Sequence, residues 1–189
     1  MPSMKLIGIA GTNGSGKDTI GALLARQHGF LFISVTDLLR AECRTRGLAV
    51  ERKNLRTISA EWRRESGLGV LIDKAVAVFR AAGDTYQGLA IASLRNPGEV
   101  ERVHELGGTT IWCDADPQIR YERVQAANRG RGGEDEKTYE QFLAEEEAEM
   151  HSVGDAATLN MAAVKDLCDT TILNEGSEAD LDEQIQNLV

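Results

Sequence analysis

Residues Gly11-Thr12-Asn13-Gly14-Ser15-Gly16-Lys17-Asp18-Thr19 supply what a bound phosphate needs. Glycines let the backbone curl until successive N–H groups face one anion. Lys17 adds a charge that can reach outer phosphates, and a hydroxyl in this place can hold Mg²⁺ or one of its waters. The hydroxyl here is Thr19, one position later than usual, because Asp18 follows the lysine. An acid there also suits the first turn of a helix. The candidate donor-binding residues are therefore Gly11, Asn13, Gly14, Ser15, Gly16, Lys17, Asp18 and Thr19, with Thr19 in the metal shell.

Arginines form the second set. Moving a phosphoryl group asks a protein to hold two phosphate-bearing molecules in line and to neutralise the developing charge. The guanidinium fork suits that task better than an ammonium. Arg95 lies just past an apolar run, Arg120 and Arg123 are three apart, and Arg129 and Arg131 sit in a glycine-rich stretch. Arg40 follows another apolar run by about one helical turn.

These residues need a scaffold. Lys5 to Ala10 reads as a strand, and Ile20, Leu23 and Leu24 put a helix after the loop. Further strands are expected at Phe30 to Ser34, Leu89 to Leu94, Thr109 to Cys113 and Asp169 to Asn174. Asn96-Pro97-Gly98-Glu99, Asp116-Pro117 and Thr138-x-x-Gln141 are helix starts, and the first of them explains Glu99 as a capping-box acid. Residues 35–68 read as a helical excursion, with Glu51 to Arg56 as a polar connection and Trp62 packing inside it. The apolar run from Val70 to Phe79 predicts a helix buried on nearly all sides. Arg129 to Glu136 has no apolar residue and predicts an exposed loop. A small helix is expected over about 156–165, and Glu145-Glu146-Glu147 reads as a solvated helix face. Alternating strands and helices predict an α/β fold, a three-layer α/β/α sandwich on a parallel sheet of about five strands. The phosphate loop then lies at the carboxyl edge of the sheet, where ligands bind.

Composition narrows the partners. The net charge of −9 argues against nucleic acid as a bulk partner. No apolar run reaches membrane-spanning length, and a start at Met1 or Met4 leaves no room for a signal peptide. Cys43, Cys113 and Cys168 are scattered and read as reduced thiols of a cytoplasmic protein. His28, His104 and His151 share no metal-ligand spacing. The sequence leaves monomer or homodimer open.

The Gly-Lys-x-Thr ending resembles that of nucleoside monophosphate kinases, adenylate kinases among them, and Asp18 is similar to the residue of phage-type deoxynucleoside monophosphate kinases. Ser34-Val35-Thr36-Asp37-Leu38-Leu39-Arg40 resembles the adenylate-kinase segment in which Arg40 would hold the acceptor monophosphate. Arg95-Asn96-Pro97-Gly98-Glu99 resembles the Arg-x-Pro-x-Glu stretch of the phage-type enzymes. Arg120 to Arg123, with Arg129 and Arg131, resembles the helix and LID of this superfamily. There such arginines touch the adenine and the transferring phosphate. Asn174-Glu175-Gly176 resembles the turn near the donor base. The whole chain is similar to small, mostly archaeal dephospho-CoA-kinase-like proteins, which carry a segment like Arg64-Glu65.

The resemblance implies one kinase domain over 1–189, an acceptor insert at about 35–68 and a LID at about 128–137. ATP and Mg²⁺ would be the donor and its ion, with Lys17, Arg123, Arg129 and Arg131 catalytic and Arg120 on the nucleotide. Asp37, Arg40, Arg64 and Arg95 would bind the acceptor, a nucleoside or deoxynucleoside monophosphate, with dephospho-CoA as the alternative. Such kinases usually place an acid at the tip of the third strand, and here that tip is Ser93. Asp37 is the nearest substitute, and Asp114 and Asp116 follow it. The missing acid keeps open a nucleotide-binding regulatory or assembly module with little transfer activity.

Overall fold

The apolar runs are strands buried on both faces, as a parallel sheet covered by helices demands. In β1 (Lys5–Gly11), Leu6 and Ala10 join one hydrophobic cluster while Ile7 and Ile9 join the other. The same alternation continues in β3 (Gly88–Leu94) and β4 (Thr109–Asp114). With β2 (Phe30–Ser34) and β5 (Thr170–Leu173) they form a five-stranded sheet, all pairs parallel, in the order β2-β3-β1-β4-β5. The computed structural model describes residues 4–127, 137–151 and 153–188. No helix among them is long and apolar enough to cross a membrane.

Helices α1 (Lys17–His28) and α9 (Glu178–Gln186) cover one face of the sheet. The other face carries α2 (Val35–Thr45), α3 (Arg52–Ser66), α4 (Val70–Ala81), α5 (Pro97–Glu105) and α8 (Met161–Leu167). Helices α6 (Pro117–Ala126) and α7 (Tyr139–Met150) follow β4. The expected caps are present. Asn96 and Glu99 close a capping box under Pro97, Asp116 accepts from Gln118 N, and Thr138 and Gln141 form a second box.

Four expectations need correction. The polar stretch 51–56 is already helical, because Glu51 starts α3 and Leu55 points its side chain toward the core. The small helix begins at Met161, where the Asn160 side chain accepts from Ala163 N, and not near 156. Helix α4 is buried through Val70, Leu71, Ile72, Ala75 and Val76, but Val78 is 45% exposed. The acids of α7 are not a solvated face: Glu145 and Glu146 are engaged with cations, and only Glu147 stands at the surface with His151.

Candidate functional site

The loop between β1 and α1 is built around its glycines. Gly14 and Gly16 have φ of 78° and 97°, in the left-handed region. A Cβ at Gly14 would lie 2.4 Å from the Arg120 carbonyl, and one at Gly16 would lie 2.0 Å from Asn174 Nδ2. The loop is therefore wedged between α6 and the turn after β5. The Ser15 carbonyl is held from behind by Asn174 Nδ2 at 2.8 Å and by the Cys113 thiol at 3.1 Å. Burial pushes that thiol up to about 11, so it remains a neutral donor. Gly16 is the N-cap of α1 and has no side chain to occupy the first N–H groups.

Several polar atoms here are buried with nothing to bind. Among the described residues, Thr12 Oγ1, Ser15 Oγ and Arg123 Nη1 find no hydrogen-bond partner. Orphaned donors around a curled loop and an open helix N-terminus fit a polyphosphate. Lys17 Nζ donates to the Thr12 carbonyl at 3.2 Å. Desolvation, and then the Arg95 guanidinium, lower the Lys17 ammonium to about 8. Asp18 and Thr19 are exposed in the first turn of α1. Among the described residues no three His, Cys, Asp or Glu side chains gather as a resident metal would require. The exposed Thr19 hydroxyl, in the first turn of α1, is the group in this loop that could hold a magnesium ion carried in by a nucleotide.

Next to this loop lies a cavity of about 440 Å³, walled by α2, α3, the tip of β3 and the end of α7. Arg52, Arg56, Arg63, Arg64 and Arg95 line it, against Val35, Leu39 and Leu55. The arginines differ in freedom. Arg63 is 4% exposed and pairs with the fully buried Glu99 at 2.6 Å. Glu99 Oε2 accepts from the backbone N–H groups of Arg95 (2.7 Å) and Asn96 (3.2 Å). One carboxylate thus caps α5, pins the backbone of Arg95 and ties α3 to the strand tip. Arg64 pairs with Asp155 at the exposed rim. Arg95 and Arg56 donate to the two oxygens of Glu149 at 3.0 and 2.8 Å, and Arg52 stands 3.6 Å from that carboxylate.

The structure brings Arg64 and Arg95 to this cavity. Asp37 and Arg40 do not line it: they pair with each other at 2.7 Å on α2, where Asp37 is largely exposed. Arg120 is 3% exposed and bidentate to Glu146, with Nε donating to the Ala115 carbonyl, so its guanidinium braces α6 against α7. Arg123 lies toward the loop, with one nitrogen unpartnered among the described residues. Arg129 and Arg131 lie outside the described residues, as does most of the expected LID. Asp114 is occupied by Trp112 Nε1, the Ala115 N–H and Lys165, and Asp116 caps α6.

Sequence reading passed over Arg52, Arg56 and Arg63. Their spacing with Ser59 (i, i+4, i+7, i+11) puts them on one face of a helix, a signal hidden by reading 51–56 as a connector. It also passed over the backbone at Ser93. The β1–β3 register slips there, pairing Ile9 with Ala92 and Ala10 with Leu94, so Ser93 is the extra residue of a bulge. Its φ is 72°, and its hydroxyl accepts from Ser34 Oγ at 3.4 Å. A non-glycine residue in that region carries strain, and bulges collect beside functional sites.

A family model described as an AAA domain matches residues 7–151. The chain belongs to the AAA domain family. This AAA domain is 28% identical to a UPF0200 protein of Hyperthermus butylicus, over 97% of this chain and 92% of that one. UPF0200 protein PAE1629 of Pyrobaculum aerophilum is 30% identical, with 74% of each chain covered. The fold is shared with the crystal structure of shikimate kinase from Bacteroides thetaiotaomicron, with a TM-score of 0.62, 15% identity and 98% of both chains covered.

Proposed function

We propose that this AAA domain is a small-molecule kinase that moves the γ-phosphate of ATP to a phosphorylated acceptor. The observation that carries this reading is the arginine-lined cavity beside the phosphate loop, close enough that Arg95 acts on the charge of Lys17. A second anion site next to a donor site is what an in-line phosphoryl transfer requires. The preferred acceptor is a nucleoside or deoxynucleoside monophosphate, whose phosphate would meet Arg95, Arg56 and Arg52. Val35, Leu39 and Leu55 offer an apolar wall for its base or sugar. Dephospho-CoA is the alternative, since its adenosine and phosphates present similar handles. Lys17, Arg123 and the loop N–H groups would hold the donor phosphates, and a bound Mg²⁺ would neutralise charge between them. The fold shared with a shikimate kinase supports kinase chemistry at this edge of the sheet.

A second reading draws on Ser93. The strand tip carries a strained serine and no acid, which favours a nucleotide-binding module with little transfer. Coupled ADP release, followed with ATP-Mg²⁺ over a panel of nucleoside and deoxynucleoside monophosphates and dephospho-CoA, separates the two. Turnover that rises with one acceptor supports the kinase. ATP binding without acceptor-dependent turnover on any of them supports the module and sinks the kinase.

A further inference from the structure

Helix α7 is attached to the molecule in an unusual way. Phe142 is its one buried residue. Met150 is partly buried against the core and the Tyr139 ring meets Tyr121, and acids make the remaining ties: Glu145 reaches Lys137 and Arg52, Glu146 grips Arg120, and Glu149 takes Arg95 and Arg56. Residues 145, 146 and 149 share one side of the helix, so α7 presents a row of carboxylates to cations drawn from α3, α6 and the tip of β3. A segment held by ion pairs and little apolar burial opens more readily than the core.

Glu149 stands at the centre of this arrangement. Its side chain is 15% exposed, whereas those of Arg95, Arg52 and Arg56 are 33%, 34% and 52% exposed. The carboxylate is enclosed and the guanidiniums face the open cavity, the reverse of a solvated surface pair. Burial would raise its pKa, but Arg95, Arg52 and Arg56 together hold it below the ordinary glutamate range. It is a bound anion on an arginine cluster, and it happens to be covalently attached.

We infer that Glu149 occupies the acceptor-phosphate site as a tethered anion, and that an entering phosphate binds Arg95, Arg56 and Arg52 by displacing it and releasing the end of α7. This rests on the reading of the cavity as an acceptor site, but not on transfer itself. A phosphate dianion brings more charge and more acceptor atoms to the three guanidiniums than one carboxylate does, so it wins the exchange. A neutral or weakly anionic molecule would not. Glu149 thereby selects for phosphorylated acceptors and covers the cluster until one arrives.

The test uses inorganic phosphate as the probe, with binding followed by calorimetry on the full chain without ATP. If the site is mostly covered, apparent affinity is reduced by the uncovered fraction, and Glu149→Gln should bind phosphate about tenfold tighter than wild type. Glu147→Gln, on the solvent side of α7, should bind as wild type does. Adding Arg56→Ala to Glu149→Gln should abolish the gain, which a phosphate held at the donor loop would not feel. Hydrogen exchange supplies a second measure: amides of α7 in the wild type should lose protection when phosphate is added. Equal affinity of wild type and Glu149→Gln overturns the inference, as does a gain that survives Arg56→Ala. Unchanged α7 exchange at saturating phosphate overturns it as well. Glu149-dependent phosphate binding without acceptor turnover would keep this inference and remove the kinase. Acceptor turnover with phosphate affinity indifferent to Glu149 would do the opposite.

Discussion

The Lys17 ammonium is held down to about 8, first by desolvation and then by Arg95. An anionic phosphate placed against Nζ offsets both causes, so binding ATP should return the group to near its ordinary value of about 10.4. Binding then takes up protons. With a free-state value of about 8, the uptake should be ~0.1 proton at pH 7, ~0.5 at pH 8 and ~0.9 at pH 9. The sign follows from which form binds: the charged lysine is favoured, and it is lost from the free protein as pH rises through 8. ATP affinity should therefore fall about tenfold from pH 7 to pH 9, or ~1.4 kcal/mol. The Cys113 thiol, up at about 11, titrates above this window, and a terminal phosphate, near 6, below it. Calorimetry of ATP-Mg²⁺ binding at the three pH values, in buffer pairs of unequal ionisation enthalpy, reads both quantities. A flat affinity with no proton uptake at pH 8 and 9 would refute the placement of phosphate on Lys17.

Arg95→Ala should raise the acceptor KM at least about tenfold, as the loss of a charge-assisted contact does, and should shift the midpoint of proton uptake upward. An unchanged midpoint would mean that Arg95 does not act on Lys17. Glu99→Gln leaves Arg63 buried without its counter-charge and should cost about 3 kcal/mol in denaturant unfolding; a loss below about 1 kcal/mol would show that water reaches the pair. Gly16→Ala combines a left-handed backbone with a Cβ that evicts Asn174 from the Ser15 carbonyl. It should lower ATP affinity by at least about tenfold, since loop strain of 1–2 kcal/mol adds to the lost support. Wild-type binding by that variant would mean the loop does not need its present shape.

Much of what is written locally was legible, although the helical face that opens α3 at 52–63 and the Asn160 cap of α8 were not. The β1 run, the phosphate loop and the Asn96-Pro97-Gly98-Glu99 start are short-range patterns, and each appears where its residues demand it. The candidate site was only half legible, because its charges meet across the chain. Glu149 lies 54 residues from Arg95 and 93 from Arg56, and no period in the sequence links them. The acids of α7 therefore looked like an ordinary polar face. Glu99 had a sufficient local explanation as a cap, which concealed its bond to Arg63, 36 residues away. Ser93 was noticed for the acid it replaces, yet its left-handed φ comes from a register slip between β1 and β3 that no side chain announces.

The central claim is phosphoryl transfer from the Lys17 loop to a molecule in the arginine-lined cavity. Isotope tracing tests it most directly: γ-³²P-labelled ATP with Mg²⁺ and a mixture of monophosphates and dephospho-CoA, resolved by chromatography, with Lys17→Ala and Arg95→Ala in parallel. Label on an organic acceptor, lost with Lys17→Ala and reduced with Arg95→Ala, is the predicted result. Label that stays on ATP, or appears only as inorganic phosphate, while ATP binding is intact would contradict it.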